Sequence, residues 1–272
     1  MALEGGSDNS QDKARIFTGL ENFRIVAINP DLQKAKALGY NYEKEPEYTG
    51  TTDDGNKRVM ISFFLDNFPE EGEPHIQLPL TYFLEETDVV SSTNKVQYTN
   101  KKGEFAYLED IDDIPSNMDW FDLDGVRPAV KGEEMLVKML RNFANIKRDG
   151  ACSIENPSAL FVGNVSEIKE MVSAFIENKI GVLLVVKKVN KKDDNGQPIE
   201  GDFNYYQGVY TRKTERPYSN DYSYLNTDIT QWQENGGGSK MIIPNPPYAL
   251  KEWEGINPDP QPSGAPTGNS NW

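Results

Sequence analysis

Gly181–Arg216 reads GVLLVVKKVNKKDDNGQPIEGDFNYYQGVYTRKTER. Val182–Val189 is β-branched and aliphatic, the composition of a buried strand. Asn190–Asp202 carries Asp194-Asn195-Gly196 and Pro198, which is turn chemistry. Phe203–Arg212 then sets Phe203, Tyr205, Tyr206 and Tyr210 in a second strand. Cations bracket both strands: Lys187, Lys188, Lys191 and Lys192, then Arg212, Lys213 and Arg216. Rings beside cations on a β surface are what a single-stranded nucleic acid needs, because bases stack on the rings and phosphates settle near the charges. The plainer reading of the same residues is a core hairpin whose lysines stay in water.

Outward from this hairpin, the earlier chain holds more strands. Phe23–Ile28 is a short one, stopped by Pro30. Asp31–Leu38 has good helix formers, with Asp31 as N-cap and Gly39 just past the end. Glu47–Thr51 and Arg58–Leu65 flank Thr52-Asp53-Asp54-Gly55, a hairpin pattern. Ile76–Glu85 is a further strand whose internal Pro79 calls for an edge or a bulge. Lys95–Thr99 and Glu104–Leu108 flank Asn100-Lys101-Lys102-Gly103. There Val96 and Tyr98 alternate on one strand, and Phe105 and Tyr107 on the other.

Two helices follow. Lys131–Ile146 places Met135, Leu136, Met139, Leu140 and Phe143 on one face. Val165–Lys179 does the same with Ile168, Met171, Val172, Phe175 and Ile176, with Asn164 or Ser166 as cap and Gly181 at the end. The expected fold is therefore α+β to mainly β: an OB-fold-like antiparallel barrel with two helices and long loops. Residues 1–15 read as a flexible N-terminus and 16–253 as one domain with insertions. Residues 254–272 read as a disordered Pro/Gly/Asn tail.

Composition narrows the function classes. The chain has 272 residues and a formal net charge of -15, which disfavours non-specific duplex binding through many phosphate contacts. A local groove can still be basic on an acidic protein. Its 12 Phe, 13 Tyr and 4 Trp are too many for a disordered chain. The single cysteine, Cys152, permits no internal disulfide and suits a reducing compartment. The N-terminal stretch shows no apolar signal region, and no run of about 18 apolar residues is present to cross a membrane. The expectation is a cytoplasmic protein without membrane contact.

Catalytic chemistry is thin. His75 and Cys152 are one residue each of the types that zinc clusters and nucleophile dyads need in numbers. No phosphate-cradling glycine motif and no nucleophile elbow occurs. The carboxylates Glu109, Asp110, Asp112, Asp113, Asp119, Asp122 and Asp124 could serve a two-metal nuclease, although a charge run is usually a solvated loop. Asp122-Leu123-Asp124-Gly125 resembles part of a calcium loop, but the twelfth position falls on Lys131 instead of glutamate. The expectation is no enzyme, no cofactor and no metal. Aromatic and basic residues do recur together: Lys101 and Lys102 between Tyr98 and Phe105, and Trp120-Phe121 before Arg127 and Lys131.

As a set, RIFTGLENFRIVAINP, EKEPEYTG with KRVMISFFLD, KVQYTNKKGEFAY, and DWF…RPAVKGEEMLVKMLRNF resemble single-stranded DNA-binding proteins of crAss-like and related bacteriophages. The likeness spans about residues 15–215 and lies in whole segments, not in a diagnostic motif. It implies an OB-fold protein of phage DNA replication or recombination that coats single strands in the bacterial host cytoplasm, with phage replication proteins as further partners. Such proteins often end in an acidic tail with a terminal aromatic. Here Trp272 supplies the aromatic, while Glu254 and Asp259 are the tail's acids.

The expected platforms are Tyr98, Phe105, Tyr205, Tyr206 and Tyr210. The expected cations are Lys101, Lys102, Lys187, Lys188, Arg212 and Lys213. The rival readings are a phage structural or packaged virion protein that binds no nucleic acid, and a metal-dependent nuclease built on the 109–124 carboxylates.

Overall fold

The computed structural model describes residues 16–40, 42–112, 114, 118–144, 151–173, 179–211, 239–242 and 250–252. Its strands and helices run β1 (Phe17–Ile28), α1 (Leu32–Ala37), β2 (Thr49–Thr51), β3 (Lys57–Asp66), β4 (Gln77–Asp88), β5 (Val96–Thr99), β6 (Phe105–Leu108), β7 (Arg127–Pro128), β8 (Val130–Lys131), α2 (Glu133–Ala144), α3 (Pro157–Leu160), α4 (Ser166–Ser173), β9 (Ile180–Lys192), β10 (Pro198–Thr211), β11 (Ser239–Ile242) and β12 (Lys251–Glu252). The protein is mainly β with antiparallel sheets. The expected termini, 1–15 and 254–272, lie outside the described residues.

Contacts divide the chain into two compact units, where one domain over 16–253 was the expectation. Among the described residues the larger unit takes those within 22–182 and Thr211. The smaller takes 16–21, 183–210, 239–242 and 250–252. β1 gives its first residues to the smaller unit and the rest to the larger.

In the larger unit β3 is the central strand. It pairs with β4 in unbroken register from Arg58↔Glu85 to Asp66↔Gln77. On its other edge it pairs with the second part of β1, across a shift at Val26, and β2 lies alongside. Ile61–Asp66 is buried throughout, which is why the sequence there is a continuous apolar run instead of an alternating one. Of its two polar members, Ser62 and Asp66, Ser62 is satisfied twice. Its N–H donates to Asn29 Oδ1 at 2.7 Å, and its hydroxyl lies 2.8 Å from that of Thr81. Pro79 sits opposite Phe64, away from the Glu85 and Asp88 positions where β8 pairs with β4. Its missing N–H is thus on a stretch where β4 is an edge among the described residues.

A separate three-stranded sheet has the order β6-β5-β7. It is joined to α2 by an ion pair. Arg127 gives a two-pronged contact to Glu133, which is fully buried, and also donates to the Ile154 carbonyl at 2.7 Å. Val130 N–H completes the Glu133 carboxylate at 3.1 Å.

The helices follow local signals. Asp31 caps α1 by accepting from Lys34 N–H at 2.7 Å. Asn164 accepts the Ser166 N–H at the start of α4. α2 buries Leu136, Val137, Met139 and Leu140, but Met135 is 61 % exposed and not on the core face. Phe143, Phe175 and Ile176 lie outside the described side chains. Four helices are present among the described residues. α3 has no counterpart among the expected elements, although Asn156-Pro157 is a cap followed by an N1 proline.

In the smaller unit the strand order is β10-β9-β1, with β11 paired to β9 over Val186–Val189 and β12 paired to Phe17 and Thr18 of β1. Among the described residues neither unit's strands close into a barrel, which corrects the expected OB-like barrel. Closure needs a last strand long enough to return to the first with a fixed stagger. β8 has only two residues, and the hairpin that could have completed the circuit forms its own sheet with β7.

Candidate nucleic-acid interface

The β9–β10 hairpin changes character along its length. Val182–Val186 are fully buried, whereas Lys187–Asn190 are half-buried. Alternation therefore sends Lys187 and Lys188 to opposite faces just where the strand leaves the core.

On the face of Val186 and Lys188 the hairpin packs inward. Ile16, Val186 and Tyr205 form a buried cluster with Phe203 against it, and Tyr205 is only 7 % exposed. The Lys188 ammonium stands 3.8 Å above the Phe203 ring and 5.9 Å from that of Tyr205. Tyr205, expected as a base platform, is thus a core residue whose ring is closed to stacking by Ile16 and Val186.

The other face carries Lys187, Tyr206, Gly208 and Tyr210. The Lys187 ammonium stands 5.5 Å from the Tyr210 ring centre. Gly208 makes this possible. A Cβ there would meet Val185 Cγ2 at 2.5 Å and the Lys187 stem at 3.2 Å, so the missing side chain is the channel through which Lys187 crosses β10. Tyr206 and Tyr210 are half-buried on either side of it. Burial pushes the Lys187 ammonium below its ordinary range and the Tyr210 hydroxyl above its own. Gln207 fastens the hairpin to β1. Its amide donates to the carbonyls of Phe17 at 2.9 Å and Val185 at 3.1 Å, and accepts from Phe17 N–H at 2.9 Å.

The β5–β6 hairpin belongs to the larger unit and uses similar residues differently. Tyr98 opposes Ala106, so it shares a face with Ala106 and Leu108 and packs on their cluster with Phe121. Phe105 opposes Thr99 and lies on the other face. The two rings do not form one platform. At the tip, Lys101 pairs with Asp124 and Lys102 with Asp122, each at 3.1 Å. Hydrogen bonds from Asp124 N–H and Lys102, with the nearby lysine charges, hold the Asp122 carboxyl below its ordinary range. Asn100 ties the tip together, accepting from Lys102 and Glu104 N–H and donating to Glu104 and the Asp122 carbonyl. A Cβ at Gly103 would collide with the Cys152 carbonyl, so the tip is pressed onto that segment.

Of the eleven expected contact residues, Tyr98, Lys101, Lys102 and Phe105 lie in the larger unit, and Lys187, Lys188, Tyr205, Tyr206 and Tyr210 in the smaller. Arg212 and Lys213 lie outside the described residues. Among the eleven, Lys187, Tyr206 and Tyr210 share one face, on which each is half-buried. Gly208 was not among the expected residues, although a lone glycine inside a strand pattern signals close approach.

Among the described residues no three His, Cys, Asp or Glu side chains gather to hold a metal ion. In the 109–124 loop, Asp122 and Asp124 face lysines, and Glu109 lies 3.8 Å from Lys95. His75 Nε2 is 2.9 Å from Asp66 Oδ2. Asp66 also accepts from Gln77 at 2.8 Å and from Phe68 N–H at 2.7 Å. Burial would raise the Asp66 carboxyl, but these three donors outweigh it and hold the group below its ordinary range. No described helix is long and apolar enough to cross a membrane. Comparison with protein-family models, curated proteins and solved structures finds no match.

Proposed function

We propose that this protein is a non-enzymatic, sequence-tolerant binder of single-stranded DNA, with its contact face on the β9–β10 hairpin. The observation that carries this reading is the Tyr206–Lys187–Tyr210 face, where a cation crosses Gly208 to lie against one ring with a second ring beside it. Four residues of a strand separate the two tyrosines, about 13 Å, so each ring serves a different base. Between the rings Gly208 offers no side chain, and the Lys187 ammonium that crosses it is assigned here to a phosphate. Stacking without edge contacts tolerates any sequence. The half-buried Lys187 meets a phosphate with less water to displace than an exposed lysine does. An OB-like ancestry, a place in phage replication or recombination, and residence in the bacterial host cytoplasm belong to the same proposal.

The test is fluorescence anisotropy with labelled oligo(dT) and a duplex of equal length, at low and high salt. The expected result is binding to oligo(dT) over duplex, weakened by salt and by Tyr206→Ala or Tyr210→Ala. Equal binding of both DNAs, or none at micromolar protein, overturns it, and no binding returns a virion structural role to first place.

A further inference from the structure

A second place for a ligand lies wholly within the larger unit. Where β1 ends and α1 begins, the chain and α4 line an open pocket of about 540 Å³. That size is within the range of about 300–1,000 Å³ typical of small-molecule sites. Its lining includes the apolar Ile25, Ala27 and Val172, the exposed lysines Lys34 and Lys169, and the carboxylate of Asp31.

Those two lysines, like Lys36 and Lys179, differ from other lysines of the unit. Lys57, Lys101, Lys102, Lys131 and Lys138 of the same unit all lie within 3.4 Å of a carboxylate. On a chain of net charge -15, lysines find such partners easily. Lys34 and Lys169 have no ion-pair partner among the described residues, and both are exposed. They come from different helices, so one pocket gathers two lysines against one carboxylate, Asp31, beside apolar side chains.

The pocket's other polar side chains are already engaged. Asn29 accepts from Ser62 N–H and donates to the Met60 carbonyl. Asp31 caps α1. Ser173 donates its hydroxyl to the Glu170 carbonyl. What remains for a ligand is apolar contact and the charge of two lysines, set against one carboxylate, Asp31, whose Oδ1 is held by the Lys34 N–H.

We propose that this pocket binds an organic phosphate with a flat apolar body, namely one nucleotide. The base lies on Ile25, Ala27 and Val172, and the phosphate lies between Lys34 and Lys169. The nucleotide is either free or one unit of a single strand. The second source rests on the function proposed above, and the first does not.

The experiment uses the full chain with labelled isoleucine and valine methyls, titrated with dTMP, with thymidine and with oligo(dT). The anisotropy assay is run in parallel. Movement of the Ile25 and Val172 methyls with dTMP supports the pocket with a free nucleotide. Movement with oligo(dT) alone supports a nucleotide within a strand. In either case Lys34→Glu with Lys169→Glu weakens the response about tenfold or more. Thymidine, which lacks the phosphate, responds as weakly as that variant does to dTMP. Ser173→Trp, at an exposed position on the rim, blocks the pocket without touching the core. Silent methyls with both dTMP and oligo(dT) overturn the proposal. So does a response equal for thymidine and dTMP and unchanged in the lysine variant. If oligo(dT) binds while the methyls stay silent, the pocket fails and the single-strand function stands. If dTMP moves the methyls and oligo(dT) binds nowhere, the pocket stands and that function fails.

Discussion

The β5–β6 and β9–β10 hairpins spend the same residue types in opposite ways. Both place paired lysines beside tyrosine and phenylalanine. At the β5–β6 tip the lysines meet Asp122 and Asp124, carboxylates from a following loop. On β9–β10 they meet rings, Lys187 against Tyr210 and Lys188 against Phe203. The difference is in what the rest of the chain brings close. A lysine beside a carboxylate is already neutralised. A lysine against a ring keeps its charge for an incoming anion.

The largest effect belongs to the support of the neutralised hairpin. Glu133→Ala leaves Arg127 without its buried partner and should destabilise the protein by about 3–5 kcal/mol in urea unfolding. A loss well below that would mean the β6-β5-β7 sheet is held otherwise. The direct contrast comes next. Tyr206→Ala or Tyr210→Ala should weaken oligo(dT) binding by about 1–3 kcal/mol per base lost. Lys101→Ala should leave it unchanged, and equal losses at both hairpins would erase the distinction drawn here.

Asp66 sharpens it from another side, as a carboxylate satisfied by His75, Gln77 and a backbone N–H without any lysine. Its carboxyl is held below the ordinary range in the folded protein, so its contribution is present above the unfolded value, about 4. That contribution is lost as pH falls through the lower, folded value. Asp66→Asn should cost about 1–3 kcal/mol at neutral pH, and the acid limb of its stability profile should be flatter than that of the wild type. An unchanged acid limb would show that other carboxylates set it. The smallest effect on stability is expected from Asp122→Asn with Asp124→Asn, because exposed ion pairs contribute little. The same variant should leave oligo(dT) affinity within about twofold, since the contact face is on β9–β10, and a large rise would count against that placement.

Much of the local structure was legible. Arg58–Leu65 announced β3 by its apolar run, Asp31 announced α1, and Asn100-Lys101-Lys102-Gly103 announced the tight tip between β5 and β6. What failed was whatever depended on a partner distant in sequence. Tyr205 and Tyr206 are neighbours in a tyrosine-rich strand, and only Ile16, far earlier in the chain, decides that Tyr205 is the buried one. Tyr98 and Phe105 alternate correctly along their strands, but cross-strand register sets them on opposite faces. β11 hides in a stretch rich in glycine and proline, where the short apolar run Met241-Ile242-Ile243 is the one hint of a strand that pairs with β9. Barrel closure is the extreme case, since it depends on whether the last strand meets the first.

The bonds from Gln207 to Phe17, and the pairing of Thr18 with Lys251, join segments made at widely separated times. A ribosome delivers residues 16–21 long before 183–210. The smaller unit therefore assembles late in synthesis, after residues 22–182 have left the exit tunnel, and the early half of β1 waits in water for its partners.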